Sequence, residues 1–288
     1  MGAKIVSFIN FKGGVGKTVS VVNIAGFLTT EHNKKVLVVD IDPQASATIH
    51  LMSEDRYCDE KKGIKVKTLY DVLEKYRASS LPESEIQLED AIFKNAIQKG
   101  PPGITQLHLV PSDLRLIDAD KEFTSDIRIL MLKRELENVV DAYDYVLIDC
   151  PPNLLLLTRN ALFASDSIII PLIPDILSTV GLRLLLKKLK EIGDEHKKMG
   201  KDPPRVKGVL FTRVDQRVKL HQRRMNEVRS DLEKMGIPCF NYFVRNLVGV
   251  QEAAGEYMPL CCCAGANIKE PAEDYRNVTK EFIKKMEE

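Results

Sequence analysis

Short β-branched runs alternate with stretches of helical period along this chain. Ile5-Val6-Ser7-Phe8-Ile9 predicts a strand, and Val21, Val22, Ile24, Ala25 and Leu28 then recur as one face of a helix. Lys35-Val36-Leu37-Val38-Val39-Asp40 reads as a second buried strand ending on an acidic residue. Leu107 to Pro111, Tyr145 to Asp149, Ser167 to Leu172 and Val206 to Thr212 predict four more. Between the last two, Leu182, Leu185, Leu186 and Leu189 mark a helix face; from Val218 another helix is expected to bury Met225, Val228, Leu232 and Met235. Cys239 to Val244 and Pro259 to Cys263 read as the last strands, and Pro271 to Glu288 as a closing helix docked through Val278, Phe282 and Met286.

The remaining pieces are less regular. Thr68 to Leu73 begins a helix, Glu89 to Ile92 lies in a weaker one, and Leu114 to Leu136 reads as largely helical. Met52 to Gly103 is taken as an excursion within one domain. The alternation as a whole predicts an α/β fold: a doubly wound, predominantly parallel sheet with helices on both faces, with residues 1–288 forming a single domain.

Composition narrows the partners more than the fold. With 44% hydrophobic and 29% charged residues, the chain is typical of globular proteins. No apolar run approaches the roughly 20 residues of a membrane span, and the sequence leads directly into its first strand, so a cytoplasmic protein is expected. A net charge of +1 argues against global attraction to nucleic acid, so any basic surface must be local. One such cluster exists: Arg213, Arg217, Lys219, His221, Arg223 and Arg224 fall within twelve positions, with Asp215 the only acid among them. It suits phosphate backbones without reading sequence. Of six cysteines, Cys58, Cys150, Cys239 and the run Cys261-Cys262-Cys263 show no disulfide-framework spacing and no C-x-x-C pair. Neighbours on a strand point to opposite faces, so the run is expected to pack as small apolar side chains.

The sharpest chemistry lies between the first strand and the first helix, in Phe11-Lys12-Gly13-Gly14-Val15-Gly16-Lys17-Thr18. A glycine loop there can aim backbone N–H groups and a helix N-terminus at phosphate. Lys17 supplies a point charge for the outer phosphates, and the Thr18 hydroxyl can join the shell of Mg²⁺. Asp40 and Asp42, at the carboxyl end of the second strand, should lie at the same site, with one of the two expected merely to cap the following helix. Tyr145 to Asp149, followed at once by Cys150-Pro151-Pro152, describes a buried strand that delivers a carboxylate to the sheet's edge. Cys150 reads as a buried thiol without partner ligands.

Phe11 stands where the ordinary P-loop has glycine, and Lys12-Gly13-Gly14-Val15-Gly16-Lys17-Thr18 resembles the deviant Walker A motif of the ParA and MinD family of ATPases. The Asp40-Ile41-Asp42-Pro43-Gln44 run and the Tyr145–Pro152 segment are similar to family segments too, as are, more weakly, Thr68–Leu73 and Leu109–Ser112. The resemblance spans nearly the whole chain and is closest to short ParA forms without an N-terminal DNA-reading domain. It implies ATP and Mg²⁺ as cofactors, with Lys12, Gly13, Gly14, Val15, Gly16, Lys17 and Thr18 around the phosphates. Asp42 would position the attacking water, and Asp149 would hold a Mg²⁺-bound water. Arg245-Asn246, followed by Glu252-Ala253, resembles the segment that cups adenine. Lys12 would reach the phosphates of a second subunit.

The function implied is a partition ATPase with weak intrinsic activity. It would form a homodimer with ATP, bind DNA nonspecifically and associate with the nucleoid in that state. A ParB-like partner would stimulate hydrolysis and so release it. Two other readings remain: a MinD-like membrane ATPase, against which the acidic end Glu287-Glu288 speaks, and a nucleotide-gated adaptor with negligible hydrolysis.

Overall fold

The computed structural model of the chain describes residues 2–52, 57, 66–77, 86–94, 96–97, 100–119 and 126–288. Its centre is a six-stranded sheet of β1 (Lys4–Phe8), β2 (Val36–Asp40), β3 (Leu107–Val110), β4 (Tyr145–Asp149), β5 (Ser167–Leu172) and β6 (Arg205–Phe211). The spatial order is β3-β2-β4-β1-β5-β6, and every pairing is parallel. Both faces are covered, which is why the strands read as nearly unbroken apolar runs. Alternate side chains enter different cores: Val6, Phe8, Val36, Val38 and Leu147 join one cluster, while Leu37, Val39, Val146 and Ile148 join the other.

Among the described residues the bounded helices are α1 (Lys17–His32), α2 (Ser46–Leu51), α3 (Leu69–Leu73), α4 (Met131–Glu137), α5 (Leu156–Ala164), α6 (Ile176–Lys198), α7 (Lys219–Lys234), α8 (Val248–Gly255) and α9 (Ala266–Glu287). The first of these is buried nearly all round, because Val21, Ile24, Phe27 and Leu28 belong to the core while Pro259 and Cys261 press on Gly26 from outside. A Cβ at Gly26 would come 2.7 Å from Pro259 and 2.8 Å from Cys261 Sγ, so glycine is required by close approach. The last helix lays Val278, Phe282 and Met286 onto the same core.

Several expectations change. Cys239–Val244 is not a regular strand: after a single bridge to Val209, the N–H groups of Asn241 and Tyr242 donate to the Glu281 carboxylate instead of to a neighbouring strand. Pro259–Cys263 contains a 3-10 turn over Leu260–Cys262, closed by Cys262 N–H to Pro259 O at 2.9 Å. Leu114–Leu136 is not one helix. Asp113 caps a 3-10 turn over Leu114–Asp118, and a second turn, Asp126–Leu130, leads into α4; residues 120–125 lie outside those described. Glu89–Ile92 gives only the 3-10 turn Leu88–Ala91. Met235 is exposed at the end of α7 while Met225, Val228 and Leu232 are buried. The closing helix starts five residues early, at Ala266, with Pro271 inside it. Proline cannot donate to the Asn267 carbonyl, and Gly249 of α8 packs there, where a Cβ would come within 2.1 Å of that oxygen.

Phe282 stacks on Phe8 at 6.5 Å between ring centroids and meets Tyr145 at 5.6 Å. Phe282→Ala is expected to cost about 3–5 kcal/mol in denaturant unfolding; a loss below about 1 kcal/mol would show that α9 does not depend on this contact.

Candidate nucleotide site

The loop after β1 is tied down before it turns. Asn10 donates from Nδ2 to the Pro171 carbonyl at 2.7 Å, and its Oδ1 accepts the Lys12 N–H at 3.0 Å. Gly14 and Gly16 take φ of +72° and +83°, the left-handed region in which a side chain is strained. Val15 between them is fully buried, and its carbonyl accepts the Thr212 hydroxyl at 2.6 Å. The ends of β1, β5 and β6 therefore hold the loop, and Gly16 caps α1. The result is a helix N-terminus opening onto a cleft of about 680 Å³.

Three carboxylates stand beside it. Asp40 and Asp149 are in register on adjacent strands and both buried. Asp40 accepts the Thr48 N–H and hydroxyl, each at 2.8 Å, and the Asp42 N–H at 3.1 Å, so it organises the turn and α2. Asp42 lines the cleft. Asp149 accepts the Thr18 hydroxyl on Oδ2 at 2.6 Å, while its Oδ1 is buried without a hydrogen-bond partner among the described residues. A hydroxyl and a carboxylate with an unused oxygen form a hard donor set that fits Mg²⁺, directly or through its water. Lys17 Nζ donates to the carbonyls of Asn10 and Lys12 at 3.3 and 3.4 Å; burial lowers its pKa, and the Asp149 charge opposes that shift.

Lys12 points away from its own loop. Its Nζ donates to Asp175 Oδ2 at 2.6 Å and to Ser178 Oγ at 3.2 Å. Asp175, missed in the sequence, is the N-cap of α6; an aspartate just ahead of an apolar helical stretch was the available signal. Asn10 and Thr212 were also missed, and both act through contacts distant in sequence.

The basic cluster divides. Arg213 belongs to the loop: its residue has φ +51°, and its guanidinium donates to the Gly14 carbonyl at 2.9 Å. Arg217 pairs with Asp215 at 2.9 Å, and Arg223 and Arg224 share Glu227 at 2.8 and 2.6 Å; Lys219 begins α7 beside them. Arg245 and Asn246 line the cleft, but the Arg245 guanidinium faces α9, pairing with Asp274 at 2.9 Å and Glu270 at 3.3 Å.

A parallel sheet with a glycine loop, a lysine and a strand-end aspartate at its carboxyl edge defines a P-loop nucleotide-binding protein. A family model described as an AAA domain matches residues 3–200. The chromosome-partitioning ATPase Soj of Treponema pallidum (strain Nichols) is 31% identical over 98% of this chain and 98% of its own. A putative plasmid partition protein of Borrelia burgdorferi B31, solved bound to AMPPNP, has a TM-score of 0.72 at 24% identity, over 98% of this chain and 99% of that one. Cobyrinic acid a,c-diamide synthase from Mycobacterium smegmatis, solved with an ATP analog and magnesium, gives 0.73 at 23% identity, over 98% and 94%. These two structures share the fold, which evidently serves differently named proteins. On the family match and the full-length relative, the chain belongs to the ParA-type partition ATPases.

The buried carboxylates make stability depend on pH. Burial raises Asp40 to about 7 and pushes Asp149 well above the ordinary carboxylate range, with the Asp40 charge adding to the second shift. The folded chain thus keeps protons that the unfolded chain has released, so this contribution is full below the ordinary carboxylate range and is lost as pH rises through about 7. In chelator-containing buffer the melting temperature is expected to fall by a few degrees between about pH 5 and pH 7, and to fall less in Asp40→Asn. Equal slopes would place the titration elsewhere.

Proposed function

We propose that this chain is a Mg²⁺-dependent ATPase that pairs with a second copy when ATP is bound. In that state it holds DNA nonspecifically, and it lets go when a ParB-like partner stimulates hydrolysis. Such a cycle positions DNA or a protein cargo. The observation that carries the hydrolytic reading is the Thr18–Asp149 contact under the loop, with Asp149 Oδ1 buried and unpartnered among the described residues. Mg²⁺ would supply charge neutralisation for the phosphates there. The N–H groups of Gly13 to Lys17 would cradle the phosphates, Lys17 would face the outer ones, and Asp42 would orient water. Phosphoryl transfer needs positioning and charge stabilisation more than covalent help.

Pairing is supported by what surrounds Lys12. Ile176, Leu177 and Val180 are 52%, 74% and 58% exposed on the same helix end that carries Asp175 and Ser178. Apolar side chains flanking a cation suit burial against another copy, whose phosphates would then replace Asp175 as the partner of Lys12. DNA contact is supported by Arg217 and Arg223, whose side chains are 90% and 78% exposed. Exposed ion pairs contribute little, so a phosphate can displace the acids they now touch. A membrane role is disfavoured because α9 commits Val278, Phe282 and Met286 to the core. Among the described residues no helix is long and apolar enough to cross a membrane.

Sedimentation and ATPase assays on two variants test the cycle. Lys12→Ala is expected to bind nucleotide but not to dimerise with ATP, and Asp42→Ala to dimerise but not to hydrolyse. Unchanged dimers in the first variant remove the cross-subunit role; turnover in the wild type that stays negligible with DNA present selects the adaptor reading. Charge reversal at Arg217, Arg223 and Arg224 should weaken DNA binding and flatten its salt dependence, by about one unit of slope for each phosphate that is no longer neutralised. Wild-type affinity in that triple variant would move the DNA surface elsewhere.

A further inference from the structure

The cysteine run sits on a turn, and the turn reverses the geometry expected of a strand. Over the 3-10 segment Leu260–Cys262, Cys261 Sγ and Cys262 Sγ lie 3.8 Å apart. Both thiols are free and half-buried. A surface cavity of about 580 Å³ between α1 and α9 reaches Cys261 and Cys263. The two adjacent sulfurs are electrically unlike. Contact with Cys262 holds the Cys261 thiol below its usual range against the opposing effect of burial, with the Thr30 hydroxyl assisting, while contact with Cys261 and burial push Cys262 up; of the two, it is Cys261 that lines the cavity. The other described cysteines are all less disposed to ionise: burial raises Cys150, and it pushes Cys239 and Cys263 up to about 11. Cys58 lies outside the described residues.

We propose that Cys261 and Cys262 form a thiol–disulfide exchange site for low-molecular-weight disulfides, with Cys261 attacking and Cys262 resolving. In the first step the Cys261 thiolate, its proton released to water, attacks one sulfur of the small disulfide. A mixed disulfide forms, and the other half leaves as a thiolate carrying the electron pair. In the second, Cys262 loses its proton to water and attacks Cys261 Sγ, expelling the second thiolate and closing a disulfide between adjacent residues. Two protein thiols are oxidised and one small disulfide is reduced to two thiols.

This closure reaches the phosphate loop through α1. The Leu260 N–H donates to Asn23 Oδ1 at 2.7 Å, and Cys261 Sγ lies against Gly26, so the turn is fastened to the helix that begins with Lys17 and Thr18. The sulfurs stand 3.8 Å apart on adjacent residues, whose Cα atoms, about 3.8 Å apart, lie closer than in ordinary disulfides, so closure distorts the turn that these contacts fasten to α1. Closing the disulfide therefore weakens nucleotide binding, a consequence that rests on the nucleotide-site reading above.

The test is to expose the reduced full-length protein to oxidised glutathione, map the cysteines by peptide mass, and titrate a fluorescent ATP analogue before and after. The wild type is expected to close Cys261–Cys262 reversibly and to lose about fivefold in nucleotide affinity, restored by dithiothreitol. Cys262→Ser should stop at a mixed disulfide on Cys261, and Cys261→Ser should leave Cys262 unmodified. Glutathione on Cys150, Cys239 or Cys263 while Cys261 and Cys262 stay reduced would falsify the exchange site. Unchanged affinity in the oxidised wild type overturns the link to the loop. A reduced protein that binds no nucleotide overturns the nucleotide-site reading, while the mapping still decides the exchange site.

Discussion

Everything at the cleft depends on where α1 starts and how firmly it is held. The helix is wedged between the sheet, α9 and the 259–263 turn, with Gly26 removing the Cβ that would keep that turn away. Its first residues are thereby placed at the carboxyl ends of β1 and β4. A surface helix would fray at its N-terminus, and a glycine loop built on it would wander. Burial around the helix substitutes for amphipathicity, which explains why α1 shows no polar stripe over most of its length.

The same rigidity permits an electrostatic arrangement that would otherwise be unfavourable. Asp40 and Asp149 are buried side by side; both oxygens of Asp40 accept hydrogen bonds, whereas Asp149 Oδ1 has no partner among the described residues. The Asp40 carboxylate is consumed by Thr48 and the following turn, so it acts on the site by fixing Asp42 and α2. Asp149 keeps an oxygen unused. A buried unsatisfied carboxylate costs stability, and its place beside Thr18 supports the proposal that the pair receives a cation.

Lys12 shows the opposite strategy. It is half-exposed and held by a helix cap, Asp175, through a short ion pair that can be exchanged. The two lysines of the loop differ in role because they differ in burial: Lys17 folds inward over loop carbonyls, while Lys12 is turned outward beside exposed apolar side chains of α6. The arginines of the basic cluster follow the same logic, with Arg213 recruited into the loop and Arg217 and Arg223 left at the surface.

Much of this was legible from local pattern. Fully buried parallel strands announce themselves as β-branched runs, and all six strands of the sheet and the glycine loop follow from neighbouring residues alone. Asp149 was readable because a strand ending in an acid before Pro151 and Pro152 has few alternatives. What the sequence could not state were arrangements made by residues far apart. Glu281 intercepts the N–H groups of Asn241 and Tyr242 and so ends a strand that the apolar pattern favoured. Asn23 and Gly26 receive the cysteine run as a turn, bringing together sulfurs that strand alternation would have separated. Asp175 takes Lys12, and the Gly14 carbonyl takes Arg213. Backbone propensity and hydrophobic period act over a few residues and were written in the chain; hydrogen bonds and close packing between distant segments depend on the fold, and only the tertiary structure decided them.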